Sequence, residues 1–127
     1  MKDPELDVLI SQLETRSDLS IAEFDAVIGA FAFLLPGKLP ENVATPQRAA
    51  TTDGAMLIAD EAYPNWTVHI HGRANDRDGH WHCTLRESDT RDSDAAIGSG
   101  RSAVLAQAIL AATLRLTMIL SKNAPSS

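Results

Sequence analysis

The stretch Ala95-Ala96-Ile97-Gly98-Ser99-Gly100-Arg101-Ser102-Ala103-Val104-Leu105 decides the fold. Its residues predict a short strand over Ala95 to Ile97, a turn through the two glycines, and a helix capped by Ser102. Glycine turns without steric penalty, and a serine hydroxyl accepts from the free amides of a first helical turn. The predicted helix covers 102–121. Ala103, Val104, Leu105 and Ala106 stand where a phosphate-gripping helix start would carry lysines, so the unit names an architecture and no chemistry.

This last helix is apolar nearly all round. Val104, Leu105, Ala108, Ile109, Ala112, Leu116 and Ile119 share one face, whereas Leu110, Leu114, Met118 and Leu120 lie outside it. Two readings follow: a helix sandwiched between a sheet and the N-terminal helices, or one that contributes to a subunit interface.

Upstream, Trp66 to Gly72 and Gly79 to Glu87 alternate with the period of half-buried strands. Trp66, Val68 and Ile70 share one face of the first, and Trp81, Cys83 and Leu85 one face of the second. These are predicted to form the sheet side of the core. Polar links at 73–78 and 88–94 predict antiparallel neighbours and a three-stranded sheet in sequence order.

Before the sheet, Leu6, Leu9, Ile10 and Leu13 recur at helical spacing and predict a helix over 4–15, opened by Asp3 and Pro4. Ser20 and Glu23 have capping-box spacing ahead of Phe24, Ile28, Phe31 and Leu35, and Pro36-Gly37 stops that second helix. Residues 36–52 read as a surface connector. Asp53 to Glu61 predicts a short helix carrying Met56, Leu57 and Ala59 inward, with a strand the alternative for so brief an apolar run. The expectation is one α+β domain over 1–127: N-terminal helices in 1–35, a connector in 36–52, a short helix and antiparallel sheet in 53–101, and a C-terminal helix in 102–121.

With 17 acidic and 11 basic residues the net charge is -6, which disfavours nucleic acid, since affinity for polyphosphates comes mainly from lysine and arginine. The lone Cys83 has no disulfide partner, Met1 to Glu5 lack a secretory pattern, and the apolar run from Ala103 to Leu114 falls short of the ~20 residues that span a bilayer. A cytoplasmic protein without membrane attachment is expected.

One constellation invites chemistry. His69, His71, His80 and His82 fall on the strand faces opposite the tryptophans. If Gly72 faces Gly79, His71 pairs with His80 and His69 with His82, and imidazoles so placed suit zinc or nickel. The plainer reading is that histidine tolerates a half-exposed strand face. Asp89, Asp92 and Asp94 near Arg91 depart from the calcium-loop spacing. Cys83 lies on the tryptophan face while His82 points away, so it reads as core. Ser99 and Ser102 lack a nucleophile elbow, and no glycine-rich phosphate loop is followed by lysine. No catalytic residue and no cofactor are expected.

Two resemblances follow from these residues. The order of three strands and a helix, ending in GSGRSAVLAQAILAATL, is similar to the double-stranded-RNA-binding domain, whose helix start carries lysines; Ala103, Val104 and Gln107 occupy those positions here, with Arg101 the sole cation. The topology carries over and the binding residues do not. More of the chain, LDVLISQLE with YPNWTVHIHG, GHWHCTLRES and AILAATLRL, resembles the small phage-related proteins described as a phage ABA sandwich domain. That resemblance implies an α/β/α layering and a prophage origin, and no activity. The expectation is a noncatalytic accessory or protein-interaction module with an unidentified protein partner, homodimeric through the C-terminal helix. The alternatives are a metal-binding protein using the histidine cluster and an anti-defence or nucleic-acid-related binding protein.

Overall fold

A computed structural model describes residues 6–16, 18–35, 37, 39–40, 42–64, 66–72, 81–87 and 97–123. The last helix, α5 (Leu105–Asn123), is the element against which the others are assembled. On one side of it lie β3 (Ile97–Ser102) and β2 (Trp81–Glu87); on the other lie α1 (Leu6–Thr15) and α4 (Thr52–Ala62). The remaining elements are α2 (Ile21–Leu34), the single turn α3 (Pro46–Ala49) and β1 (Trp66–Gly72). The α+β class, the three-stranded antiparallel sheet in the order β1-β2-β3 and the C-terminal helix are as the sequence predicts.

The decisive stretch folds differently in detail. Gly98 to Ser102 is strand, because Ile97–Ser102 pairs along its length with Trp81–Arg86. The glycines serve packing rather than turning. A β-carbon on Gly98 would lie 2.5 Å from the Ala112 carbonyl oxygen, and one on Gly100 would lie 2.5 Å from the Ala112 nitrogen and 2.6 Å from the Ala108 carbonyl oxygen. Strand and helix backbones therefore meet directly, and Ala108, Ala111 and Ala112 are the matching small residues on α5. Ser102 is buried at the strand end, and its hydroxyl accepts from the Val104 N–H at 3.1 Å. The helix itself starts at Leu105, with the Val104 carbonyl accepting from Ala108. Ala95 and Ala96 lie outside the described residues.

Because strands cover one side of α5 and helices the other, every residue from Ala106 to Leu114 is buried. Leu114 is 0% exposed, so this stretch of the helix is packed as the sandwiched reading expects. Its one buried amide, Gln107, has a clear use. The Nε2 donates to the Leu13 carbonyl at 2.9 Å and to the Arg16 carbonyl, which satisfies acceptors left open at the C-terminus of α1.

Local signals account for the other helices. The Ser20–Glu23 capping box is present, and Phe24, Val27, Ile28, Ala30 and Phe31 of α2 are buried. After α2, Gly37 adopts a positive φ of 76°, where other residues are strained. The 36–52 segment is not a bare connector. Thr45 caps the turn α3, accepting from Arg48 N–H, and Val43 and Ala49 enter the core. In α4 the buried residues include Ala55, Ile58, Ala59 and Ala62, and half-buried Met56 packs against the core; Leu57 is exposed, which corrects the predicted inward set at that residue.

Gly98→Ala and Gly100→Ala should each lower stability by about 1–3 kcal/mol, the usual cost of overpacking. Gly29→Ala, where a new β-carbon meets nothing within 4 Å, should not. Urea midpoints with unchanged slopes measure this; equal tolerance at all three positions would refute the direct backbone contact.

Candidate functional site

The two edges of the sheet are treated differently. At the β3 edge, Glu14 of α1 accepts from the Arg101 backbone N–H at 3.2 Å, and Arg115 of α5 donates to the Ser99 carbonyl at 2.6 Å. The two side chains also join each other through a forked pair, Nη1 to Oε2 at 2.8 Å and Nη2 to Oε1 at 3.0 Å. Partial burial acts to raise the Glu14 carboxyl, but the hydrogen bond and charge of Arg115, with the Arg101 N–H, outweigh it and hold the group below its ordinary value. Edge groups of β3 that another strand would otherwise seek are thus occupied.

At the β1 edge no such clamp engages Val68 or Ile70 among the described residues. Trp66–Gly72 carries no acidic residue, lysine, arginine or proline, the devices that commonly blunt an edge. The backbone orientation follows from the sealed edge. Ser99 C=O and Arg101 N–H turn away from β2, so Ser99↔Thr84 and Arg101↔His82 are non-hydrogen-bonded pairs. Thr84 and His82 then face β1, where they pair with His69 and His71. Alternation leaves the backbone groups of Val68 and Ile70 directed at the open edge.

The inner face thins toward that same edge. Its cross-strand rows are Gly72–Trp81–Ser102, Ile70–Cys83–Gly100 and Val68–Leu85–Gly98. Cys83, Leu85 and the β3 glycines lie buried beneath α5, whereas Trp66 and Val68 are half-buried and Ile70 and Trp81 are 37% and 38% exposed. All the residues predicted for the sheet side of the core share this face, but α5 sits mainly over β3 and β2, and Ile70 and Trp81 at the β1 flank stay exposed. Trp66 is steadied from below by an edge-on contact with Tyr63, ring centroids 5.7 Å apart. The Tyr63 hydroxyl shares a 2.7 Å hydrogen bond with Thr117. The Trp81 ring lies across Gly72, where a β-carbon would come within 2.6 Å of it.

The outer face carries the histidines, in a register two residues away from the expected one. His71 pairs with His82 and His69 with Thr84, because Gly72 faces Trp81 rather than Gly79. A two-residue slip preserves parity, so each residue keeps its predicted face. His69, His71 and His82 are all exposed. His80 lies outside the described residues, as do the aspartates at 89, 92 and 94. Among the described residues no three histidine, cysteine or carboxylate groups are placed to hold a metal ion. His71 and His82 alone supply two ligands, short of the four of a structural zinc site.

Cys83 is buried, and desolvation pushes its thiol up to about 11. It is therefore a protonated core group at neutral pH, not a nucleophile. Among the described residues no helix is long and apolar enough to cross a membrane. Every buried side-chain nitrogen or oxygen among the described residues has a hydrogen-bond partner, so none is left aimed at an absent ligand. No protein-family model matches the chain, and no curated protein or solved structure matches it either.

The Glu14 clamp makes a pH prediction. A carboxyl lowered by folding adds stability above its unfolded value, and that contribution is lost as pH falls through the folded value. Glu14→Gln should therefore be less stable than the parent at neutral pH, with the difference closing in acid. Urea midpoints for both proteins across the acid limb give the answer; a pH-independent difference would show that the charge contributes nothing.

Proposed function

We propose that the protein is a noncatalytic interaction module of phage or prophage type, acting in the cytoplasm, and that it binds through the β1 flank of its sheet. The observation that supports the reading is the coincidence, at one side of the sheet, of an edge strand without acidic residue, lysine or arginine and an apolar face on which Ile70 of β1 and Trp81 of β2 are exposed beside the half-buried Val68. Strand addition uses such a surface: main-chain hydrogen bonds give affinity and alternate side chains give selectivity. The described residues offer a catalytic reading less, since the thiol is protonated and the buried polar groups are engaged with one another.

The test compares the parent protein with Ile70→Lys as bait in lysate of the source organism, counting every retained protein, copies of the chain included. A lysine on this face is an inward-pointing charge of the kind that blunts edges. Stoichiometric retention by the parent, reduced at least tenfold by a variant with unchanged circular dichroism, is expected. No retention, or retention indifferent to Ile70→Lys, would remove the flank as the binding surface.

One observation keeps the zinc or nickel reading as a second possibility: His71 stands directly opposite His82. Metal analysis of protein purified without an affinity tag settles it. Stoichiometric metal lost in His71→Ala with His82→Ala supports the reading, and metal-free protein removes it.

A further inference from the structure

We infer that the occupant of the β1 flank is a second copy of the chain, joined β1 to β1 in antiparallel pairing centred on His69. The inference rests on the interaction-module reading and names its partner. Three properties of the strand favour self-pairing. The first is asymmetry of protection, since the β3 edge is closed by Glu14 and Arg115 while the edge-directed groups of Val68 and Ile70 have no such closure among the described residues. The second is charge. The protein is acidic overall, at net -6, yet Trp66–Gly72 contains no acidic or basic residue other than its two histidines, so two copies can meet here without bringing carboxylates together.

The third is shape. Keeping inner face beside inner face requires the two-fold axis to pass through a residue pair, and the axis at His69 is the one that pairs all of Trp66–Gly72 with itself. In that register Val68 lies opposite Ile70 of the second copy, and Trp66 opposite its Gly72. The apolar Val68–Ile70 pair joins the two apolar stripes, and Trp66 of one copy comes beside the Trp81 ring that lies across Gly72 of the other. The edge-directed backbone groups of Val68 and Ile70 then exchange hydrogen bonds with Ile70 and Val68 of the second copy. The Trp66 N–H is already donated to the Tyr63 carbonyl at 3.1 Å, so the ladder gains only its carbonyl at that end. The product is a continuous six-stranded sheet with both α5 helices on one side, and an isologous contact that closes on itself rather than propagating.

The register is open to direct test. His69 faces β2 with its backbone groups, so its pair across the axis is non-hydrogen-bonded, with α-carbons about 4.5 Å apart. Such a spacing accommodates a disulfide. His69→Cys, on the exposed outer face, should therefore form an intermolecular disulfide under mild oxidation. Thr84→Cys, one strand further in on the same face, should form at least tenfold less. Light scattering on the purified parent should give twice the 13.7 kDa chain mass at submillimolar concentration, and Ile70→Lys should give the single chain mass with unchanged circular dichroism. A parent protein that stays monomeric overturns the inference, as does a dimer that survives Ile70→Lys or that links Thr84→Cys as readily as His69→Cys. A monomer whose lysate partner is nonetheless lost in Ile70→Lys overturns self-pairing alone and leaves the interaction-module reading in place; loss of both results overturns both.

Discussion

The structure depends on how closely α5 approaches β3. With Gly98 and Gly100 on the strand and Ala108, Ala111 and Ala112 on the helix, the two backbones touch, and no larger side chain fits between them. This contact fixes where the helix lies over the sheet, off-centre toward β3. The off-centre position has two further results. It brings Arg115 within reach of Glu14 and the Ser99 carbonyl, and it leaves Ile70 of β1 exposed. The sealed edge and the open flank thus have one cause.

The polar groups inside this packing are arranged to stabilise it rather than to react. Gln107 closes α1, Thr113 donates to the Ile109 carbonyl, and Thr117 donates to the Thr113 carbonyl while sharing its oxygen with Tyr63. A buried hydroxyl without a partner would cost about 1–3 kcal/mol. Each of these is paired within α5 or to an element it supports, so the helix can be buried on all sides while carrying polar residues.

Signals that are local in the chain were legible in the sequence. The Ser20–Glu23 box and the alternation over Trp66–Gly72 depend on near neighbours and match the structure in type and extent. Signals whose meaning depends on distant partners were not. Glycines at 98 and 100 look like a turn until the helix that lies on them is known, and the amide of Gln107 looks like a break in an apolar run until the carbonyls of Leu13 and Arg16 are beside it. Thr45-Pro46 did carry a helix-start signal, a capping hydroxyl before a proline at the first helical position, inside a segment read as connector. Four residues of helix have too little periodicity to outweigh the surrounding prolines. For the candidate site, alternation placed His69, His71 and His82 on one face, and a loop between strands cannot specify register to two residues. That a three-stranded sheet offers an edge to a partner strand was legible; which edge is open was not, because that depends on where α5 lies over the sheet.

The position of Gln107 also sets an order of events during synthesis. It binds carbonyls 94 and 91 residues earlier in the chain, and α5 emerges from the ribosome after every element that packs against it. Until then α1, α4 and the sheet have no common surface to bury, and their apolar faces stay in water. Assembly is therefore a late, concerted collapse of long-range contacts, of the kind that folds slowly and leaves nascent chains exposed to aggregation. A ribosome paused before residue 105 would hold a chain with most of its core residues and without the helix on which its layers meet.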